Sequence, residues 1–324
     1  MPYPLGHVID QRYRVTGVLG EGAHGLVYAA EDGLLGSKVA IKVLSPDLAS
    51  DDSFKIRMHR EARAMGALSG TSATQIFAFN KAADGSLYIA MEMLAGRDLE
   101  RYLREIEHHG GHIELKRLVT LLAPIAETLE VAHNLNLLHR DVKPGNIFVL
   151  DSFVRGGVRL LDFGLAKDLS ASSLTQTGMI AGSPGYIAPE IWRGKGREAD
   201  RRVDVYSLGV VAFRALAGRT PFDSKLPLDQ FLIAVTRAPR PSLRALRPDL
   251  PAAIDVWVDK ALAIAPVDRF ASTVKMWDAL RSMAELPVRS TAIALDVAPW
   301  EVEIDVEIEE EVASLRSAQM SPSR

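Results

Sequence analysis

The residues best able to do chemistry lie close together. HRDVKPGN (139–146) holds Asp141, Lys143 and Asn146, and the carboxylate of Asp162 follows sixteen residues after Asn146, within LLDFGLAK (160–167). Phosphoryl transfer requires a carboxylate near the acceptor hydroxyl and oxygen ligands for a metal that neutralises a triphosphate. Asp141 suits the first role. Asn146 and Asp162 suit the second, because Mg2+ is a hard cation that takes such oxygens while keeping waters. Lys143, two residues from Asp141, can place its ammonium near a transferring phosphoryl group. A single Asp in such a stretch is more often a turn residue or helix cap; the combination carries the reading.

A second cluster precedes it. LGEGAHGLVY sets Gly20, Gly22 and Gly25 in a G-x-G-x-x-G pattern. Glycines there let the backbone approach phosphate oxygens and offer N–H donors without side-chain obstruction. The pattern also marks dinucleotide-binding folds, but these place it between strand and helix; here it separates two strand-like segments. VAIK (39–42) follows. A lysine inside an apolar strand is costly if buried and unpaired, although a strand lysine by default sits in water at an edge. Glu61, 19 residues beyond Lys42, can supply a partner.

These residues need a scaffold. RYRVTGVLG and LVYAAED alternate around the glycine turn as a hairpin, and SKVAIKVL reads as a third strand. TQIFAFN and LYIAMEML form another pair, joined at the turn dipeptide Asp84-Gly85. Between them, SDDSFKIRMHREARAMGAL reads as a helix, with Ile56, Arg60 and Ala64 at helical spacing and Ser50 or Asp51 as N-cap. Beyond Leu94 the period becomes 3.6: residues 117–138 put Leu118, Leu121, Leu122, Ile125, Leu129 and Ala132 on one face. Pro124 should kink that helix or lie near its start. Further helices are expected at 204–217, 227–237, 251–263 and 272–284. A β-rich part followed by a helical part is an α+β arrangement, joined near 92–96.

The glycine loop, strand lysine, helix glutamate, HRD, the lysine two and asparagine five residues after that Asp, DFG (162–164) and APE (188–190) occur in one order. Together they resemble the protein kinase superfamily, from about Tyr13 to about Met283. The lysine of HRDVKPGN is similar to the serine/threonine branch, and the whole resembles bacterial Hanks-type serine/threonine kinases. The resemblance implies a bilobal kinase fold: a leader over 1–12, a β-rich N-lobe with one regulatory helix over 13–94, a mainly helical C-lobe over 95–286, and an acidic tail over 287–324. It implies transfer of the ATP γ-phosphate, with Mg2+ (or Mn2+), to Ser/Thr hydroxyls of protein substrates. Lys42 would hold the α- and β-phosphates, oriented by Glu61. Val27, Ala40 and Phe148 would sandwich adenine, with Leu19 also in the ATP site, Met91 as gatekeeper and the backbones of Glu92 and Met93 meeting the base. Asp98 would contact ribose. Met65, Ile76, His139 and Phe163 would stack in a column, although generic core would choose the same residue types. Glu190 and Arg269 would pair, and Asp204 would anchor the backbone around Asp141.

Thr175 and Thr177, in LTQTG (174–178), lie between Asp162 and Glu190, the place of an activation loop in such kinases. A phosphate there adds nearly two negative charges and three acceptor oxygens, with Arg140, Lys167 and Arg57 as receivers. Autophosphorylation through a transient homodimer is the expectation; unmodified polar loop residues are the plainer alternative. Two positions depart from the family. TSATQIFAF (71–79) lacks the usual His-Pro-Asn, and Ser183 stands where a Thr is normal, keeping the hydroxyl of the substrate platform but not its methyl. The rival readings are a nucleotide-binding pseudokinase scaffold and a small-molecule phosphotransferase. The intact Lys42, Asp141, Asn146 and Asp162 weigh against the first, and GSPGYIAPE with Asp204 and Arg269 against the second.

Composition sets the remaining bounds. The 324 residues carry a net charge of −3, and eight acidic groups against three arginines in 287–324 leave the body near neutral. That is no footprint for nucleic acid, which needs clustered Lys/Arg. Cysteine is absent, which excludes disulfides and thiolate chemistry. No basic-then-apolar leader opens the sequence. VYSLGVVAFRALAG (205–218), interrupted by Arg214, reads as a buried helix and not as a membrane span, which needs about 18 apolar residues. A cytosolic protein is expected. VEIDVEIEEEV (302–312) alternates apolar and acidic residues, which favours a strand over a helix; it would dock on a sheet edge or belong to a disordered acidic tail.

Overall fold

The computed structural model describes residues 3–22, 25–46, 50–152, 157–163, 184–287 and 302–320. The chain forms two compact units, one of Met1–Ala95 with Asp296–Arg324 and one of Gly96–Leu295.

The first unit is built on an antiparallel sheet. β1 (Val8–Ile9), β2 (Tyr13–Gly22), β3 (Gly25–Asp32), β4 (Lys38–Leu44), then helix α1 (Asp52–Gly66), β5 (Ile76–Lys81) and β6 (Leu87–Glu92) follow in chain order. In space β6 lies between β4 and β5. Alternation of apolar residues puts Val15, Tyr28, Ala30, Val39, Ile41, Tyr88 and Ala90 into one buried cluster. Gly85 adopts φ +87° in the β5–β6 turn, a conformation that glycine takes without strain.

The expectation of a separate leader over 1–12 needs correction. β1 pairs with β2, Ile9 is buried with the same cluster, and the Tyr88 hydroxyl donates to Asp10 Oδ2 at 2.6 Å. A two-residue strand is too short for alternation to reveal. α1 forms where the spacing places a helix. Asp51 caps the helix, accepting the Phe54 amide at 3.2 Å. Phe54, Met58, Ala62 and Met65 form the buried face, whereas Arg60 is exposed.

The second unit opens with β7 (Gly96–Asp98), α2 (Leu99–His108) and α3 (Leu115–Asn134), followed by β8 (Ile147–Leu150) and β9 (Val158–Leu160). β7, β8 and β9 make a small antiparallel sheet. Then come α4 (Pro189–Trp192), α5 (Arg202–Ala217), α6 (Leu228–Arg237), α7 (Leu243–Leu246), α8 (Ile254–Ala261) and α9 (Thr273–Met283). α3 continues through Pro124, which lies mid-helix and not near its start, with the Thr128 hydroxyl donating to the Pro124 carbonyl at 2.7 Å. α9 is pinned to α3 by Thr273 Oγ1 to the Ala126 carbonyl and Trp277 Nε1 to the Val119 carbonyl, at 2.8 and 2.9 Å. α5 is buried on every side, which explains its unbroken apolar run. Its Arg214 reaches Glu100 and Glu107 on α2 at 2.6 and 2.9 Å. Among the described residues no helix is long and apolar enough to cross a membrane.

The acidic segment returns to the first unit. β10 (Glu303–Ile304) adds to β5 in parallel, with Glu303 opposite Ala78 and Ile304 opposite Phe79. α10 (Val306–Met320) packs on α1. The strand expected over 302–312 is therefore confined to two residues and continues as a helix. Glutamate is a good helix former, and the helix buries Ile308 and Val312, four residues apart, on one side.

Candidate active site

In the second unit the 139–146 loop is held from beneath by Asp204, at the start of α5. Asp204 accepts the amides of His139 and Arg140 at 2.9 and 2.8 Å, and His133 Nε2 lies 2.8 Å from the same carboxylate. Asp204 is fully buried. Burial alone would raise its pKa, yet the bond from His133, the nearby imidazoles and the loop amides together hold it below the usual carboxylate range. His133 had no counterpart in the sequence reading. Its only signal was a histidine near the end of an otherwise apolar helix face.

His139 links the two sequence motifs. Its Nε2–H donates to the Leu161 carbonyl at 2.8 Å, and its Nδ1 accepts the Asp141 amide at 3.2 Å. One imidazole thus joins the backbone of Asp141 to the residue before Asp162, and it packs on Phe163 with ring centres 4.8 Å apart. Burial pushes the His139 pKa down. Around Asp141 the groups converge: Lys143 Nζ donates to Oδ2 at 2.7 Å, and Asn146 Nδ2 donates to the Asp141 carbonyl and Oδ2 at 2.8 and 3.0 Å. Asn146 itself accepts the Leu161 amide at 2.8 Å. Arg140 and Asp162 adopt positive φ of 62° and 48°, a conformation that costs a non-glycine residue about 1–3 kcal/mol and survives only where its surroundings enforce it.

With its amide nitrogen committed to Asp141, Asn146 keeps its side-chain oxygen for a ligand. That oxygen and the Asp162 carboxylate are the donor type a hard cation takes. Phe148 on β8 stands opposite Asp98 on β7, and Asp98 caps α2 by accepting the Arg101 amide at 2.7 Å.

The ground beyond the loop is also rigid. Arg269 grips Glu190 with two bonds of 2.7 and 2.6 Å, as expected. Ser207 Oγ donates to the Tyr186 carbonyl at 2.8 Å, and Arg214 Nη1 donates to the Tyr186 hydroxyl at 2.9 Å. Burial raises the Tyr186 phenol to about 12. Tyr186, Ser207 and Arg214 were not read as a connected support from sequence, because their spacing in the chain shows no pattern.

The first unit carries the other half of the predicted residues. Gly20 pairs with Val27 and Gly22 with Gly25 across the β2–β3 turn. Gly25 has φ +134°, and a Cβ there would lie 1.9 Å from the Val43 carbonyl oxygen, so sheet geometry alone already demands glycine. Leu19 is exposed. Val27 stands opposite Lys42, and Ala40 opposite Met91. Lys42 is buried at the centre of the sheet, and Glu61 is half-buried on α1. Glu92 braces the start of β5: its Oε1 accepts the Gln75 amide and its own amide donates to the Gln75 carbonyl, both at 2.9 Å. Met93 follows it, half-buried. Met65 and Ile76 are both buried. Lys167, Thr175, Thr177 and Ser183 lie outside the described residues, as does the side chain of Arg57; Arg140 is exposed.

A mainly antiparallel sheet carrying α1, and a helical unit whose buried aspartate supports an HRD loop, together define the protein kinase architecture. The family model described as the protein kinase domain matches residues 13–271, and the chain belongs to that family. It is 35% identical over 277 residues to the probable serine/threonine-protein kinase PknB of Corynebacterium glutamicum, covering 83% of this chain and 42% of that protein. It is 33% identical over 283 residues to the serine/threonine-protein kinase PknA of Mycobacterium tuberculosis, covering 86% and 63%. The chain thus spans less than two thirds of the length of either relative. A crystal structure of the Mycobacterium tuberculosis PknI kinase domain is similar with a TM-score of 0.69 at 30% identity, covering 88% of this chain and all of that one.

Proposed function

We propose that the chain is a protein serine/threonine kinase that transfers the γ-phosphoryl group of ATP to Ser or Thr hydroxyls of proteins. The observation that carries this is the convergence of Lys143 and Asn146 on the Asp141 carboxylate, above a loop fixed by Asp204. The serine/threonine kinase names of its relatives agree with it.

In this reading Asp141 orients the acceptor hydroxyl and takes its proton as the new P–O bond forms and the bond to the ADP oxygen breaks. Lys143 stabilises charge on the transferring group. Asn146 and Asp162 would hold Mg2+, which supplies neutralisation of the triphosphate charge when bound. Lys42, oriented by Glu61, and the amides of the Gly20–Gly25 turn bind phosphates. Val27, Ala40, Met91, Phe148 and the backbones of Glu92 and Met93 hold the base, with Leu19 covering it and Asp98 at the ribose. Thr175 and Thr177 are autophosphorylation sites, received by Arg140, Lys167 and Arg57, and Ser183 belongs to the substrate platform.

The test supplies labelled ATP, Mg2+ and a generic basic protein substrate. Label on serine or threonine of that substrate is the expected result; no label on either substrate or chain contradicts the proposal.

A further inference from the structure

Helix α1 carries Glu61 on one side and, on another, two cations, Lys55 and Arg63, flanking His59, whose pKa burial pushes down. Lys55, His59 and Arg63, spaced four residues apart, line up along the helix. At 100° per residue, Glu61 lies about 200° around the helix from the middle of that stripe. Lys55 and His59 are largely covered, while Arg63 stays exposed. Lys55 Nζ pairs with Glu311 at 2.7 Å, Arg63 pairs with Glu309, and His59 Nε2 lies 3.8 Å from Glu309. The bond from Glu311 raises the Lys55 pKa, as a formed pair should.

The acidic segment is anchored at both ends of this contact. Upstream, β10 extends the sheet beside β5, and Glu303 accepts from Arg12 at 2.9 Å while Arg12 also grips Asp32. On either side of Glu309 and Glu311, Ile308 and Val312 are 2% and 1% exposed, so the helix docks by apolar burial as well as by charge. This segment lies outside the residues matched by the kinase family model.

We infer that residues 303–312 are a positioning element for Glu61, acting through α1. The phosphate-binding role given to Lys42 requires Glu61 to stay turned toward the sheet, and this inference rests on that reading. Outward rotation or displacement of α1 is the movement that would withdraw Glu61. The tail packs on α1 at the side bearing Lys55, His59 and Arg63, roughly opposite Glu61, and Glu309 and Glu311 pair with that stripe. Glu309 and Glu311 are positioning residues: their partners are Lys55 and Arg63, and they act through the orientation of α1. The occupant is this chain's own acidic segment, matched in charge to the stripe.

The experiment compares the full chain with E309K/E311K and with the four-fold swap K55E/R63E/E309K/E311K. Amide hydrogen exchange of α1 and β5 is read together with ATP affinity and steady-state kinetics. The expected result is faster exchange across α1 in E309K/E311K, with ATP affinity and kcat/KM lowered roughly 5- to 20-fold, a usual size for coupling between sites. The melting temperature of the second unit stays unchanged, and the swap restores both exchange and kinetics. Wild-type exchange and kinetics in E309K/E311K overturn the inference, as does a swap that restores neither. The exchange arm needs no turnover. If the wild-type chain transferred no phosphate, the kinase reading would fail while protection of α1 still decided whether the tail positions it.

Discussion

Asp204 holds the backbone of Arg140 in a left-handed conformation: its Oδ1 accepts the Arg140 amide at 2.8 Å while φ at Arg140 is 62°. Because Asp141 is the next residue, the direction of its carboxylate depends on a buried charge on another element. That charge is kept by His133 and by the second amide, from His139.

Asp204→Asn removes the negative charge and leaves at least one of these donors facing an NH2 group. Bonds to charged acceptors contribute about 1.5–3 kcal/mol each, so the variant should lose about 2–4 kcal/mol of stability. Its kcat should fall at least about tenfold while ATP affinity holds, because positioning errors cost rate before binding. Thermal melting and steady-state kinetics check both parts.

Arg269 and Glu190 form a buried pair whose guanidinium also reaches the carbonyls of Ala263, Arg202 and Ile264. Removing one partner strands the other, at a cost of about 3–5 kcal/mol. Arg269→Leu should therefore destabilise the second unit by that amount. Arg269→Lys should rescue little, because an ammonium cannot reproduce the bidentate grip. Denaturant melts of the three proteins measure this.

His139 gives a pH signature. Its folded pKa is lowered by burial, so the unfolded chain binds the proton more readily. The stability tied to its neutral form is complete above the unfolded value of about 6.5 and is lost as pH falls below it. His139→Phe keeps a ring against Phe163 but has no proton to bind. Between about pH 5 and 6.5 its stability should fall less steeply than wild type, the difference approaching about 1.4 kcal/mol per pH unit. Melting curves across that range, run in parallel, read the difference directly.

Thr175→Ala with Thr177→Ala should lower kcat at least about tenfold, because a loop phosphate contributes charge-assisted bonds to Arg140 and its companions. Phosphopeptide mapping of the wild type should place phosphate on one or both threonines. Unchanged activity in the double variant would remove them from the account.

Legibility followed chain distance. The convergence of Asp141, Lys143 and Asn146 was readable because the three residues share one short loop, and the kinase fold was readable because its motifs keep their order. Contacts made by distant segments were not. His133 supports the loop from the end of α3, and nothing nearby in sequence announces Asp204 as its partner. α1 was placed by its helical spacing, but spacing alone could not name its buried face, because Ile56, Arg60 and Ala64 share the period of Phe54, Met58 and Ala62. In the acidic tail, Val302 to Ile308 fit a strand period while Ile308 and Val312 fit a helix. The pairing of the α1 stripe with Glu309 and Glu311, and the burial of Ile308 and Val312, appear only in three dimensions.

The most direct test of the account is the intact mass of the chain after incubation with ATP and Mg2+, for wild type beside Asp141→Asn. The wild type should gain phosphate increments that the variant lacks, with both binding ATP to a similar extent. Equal phosphate incorporation in the two proteins, or none in the wild type, would contradict it.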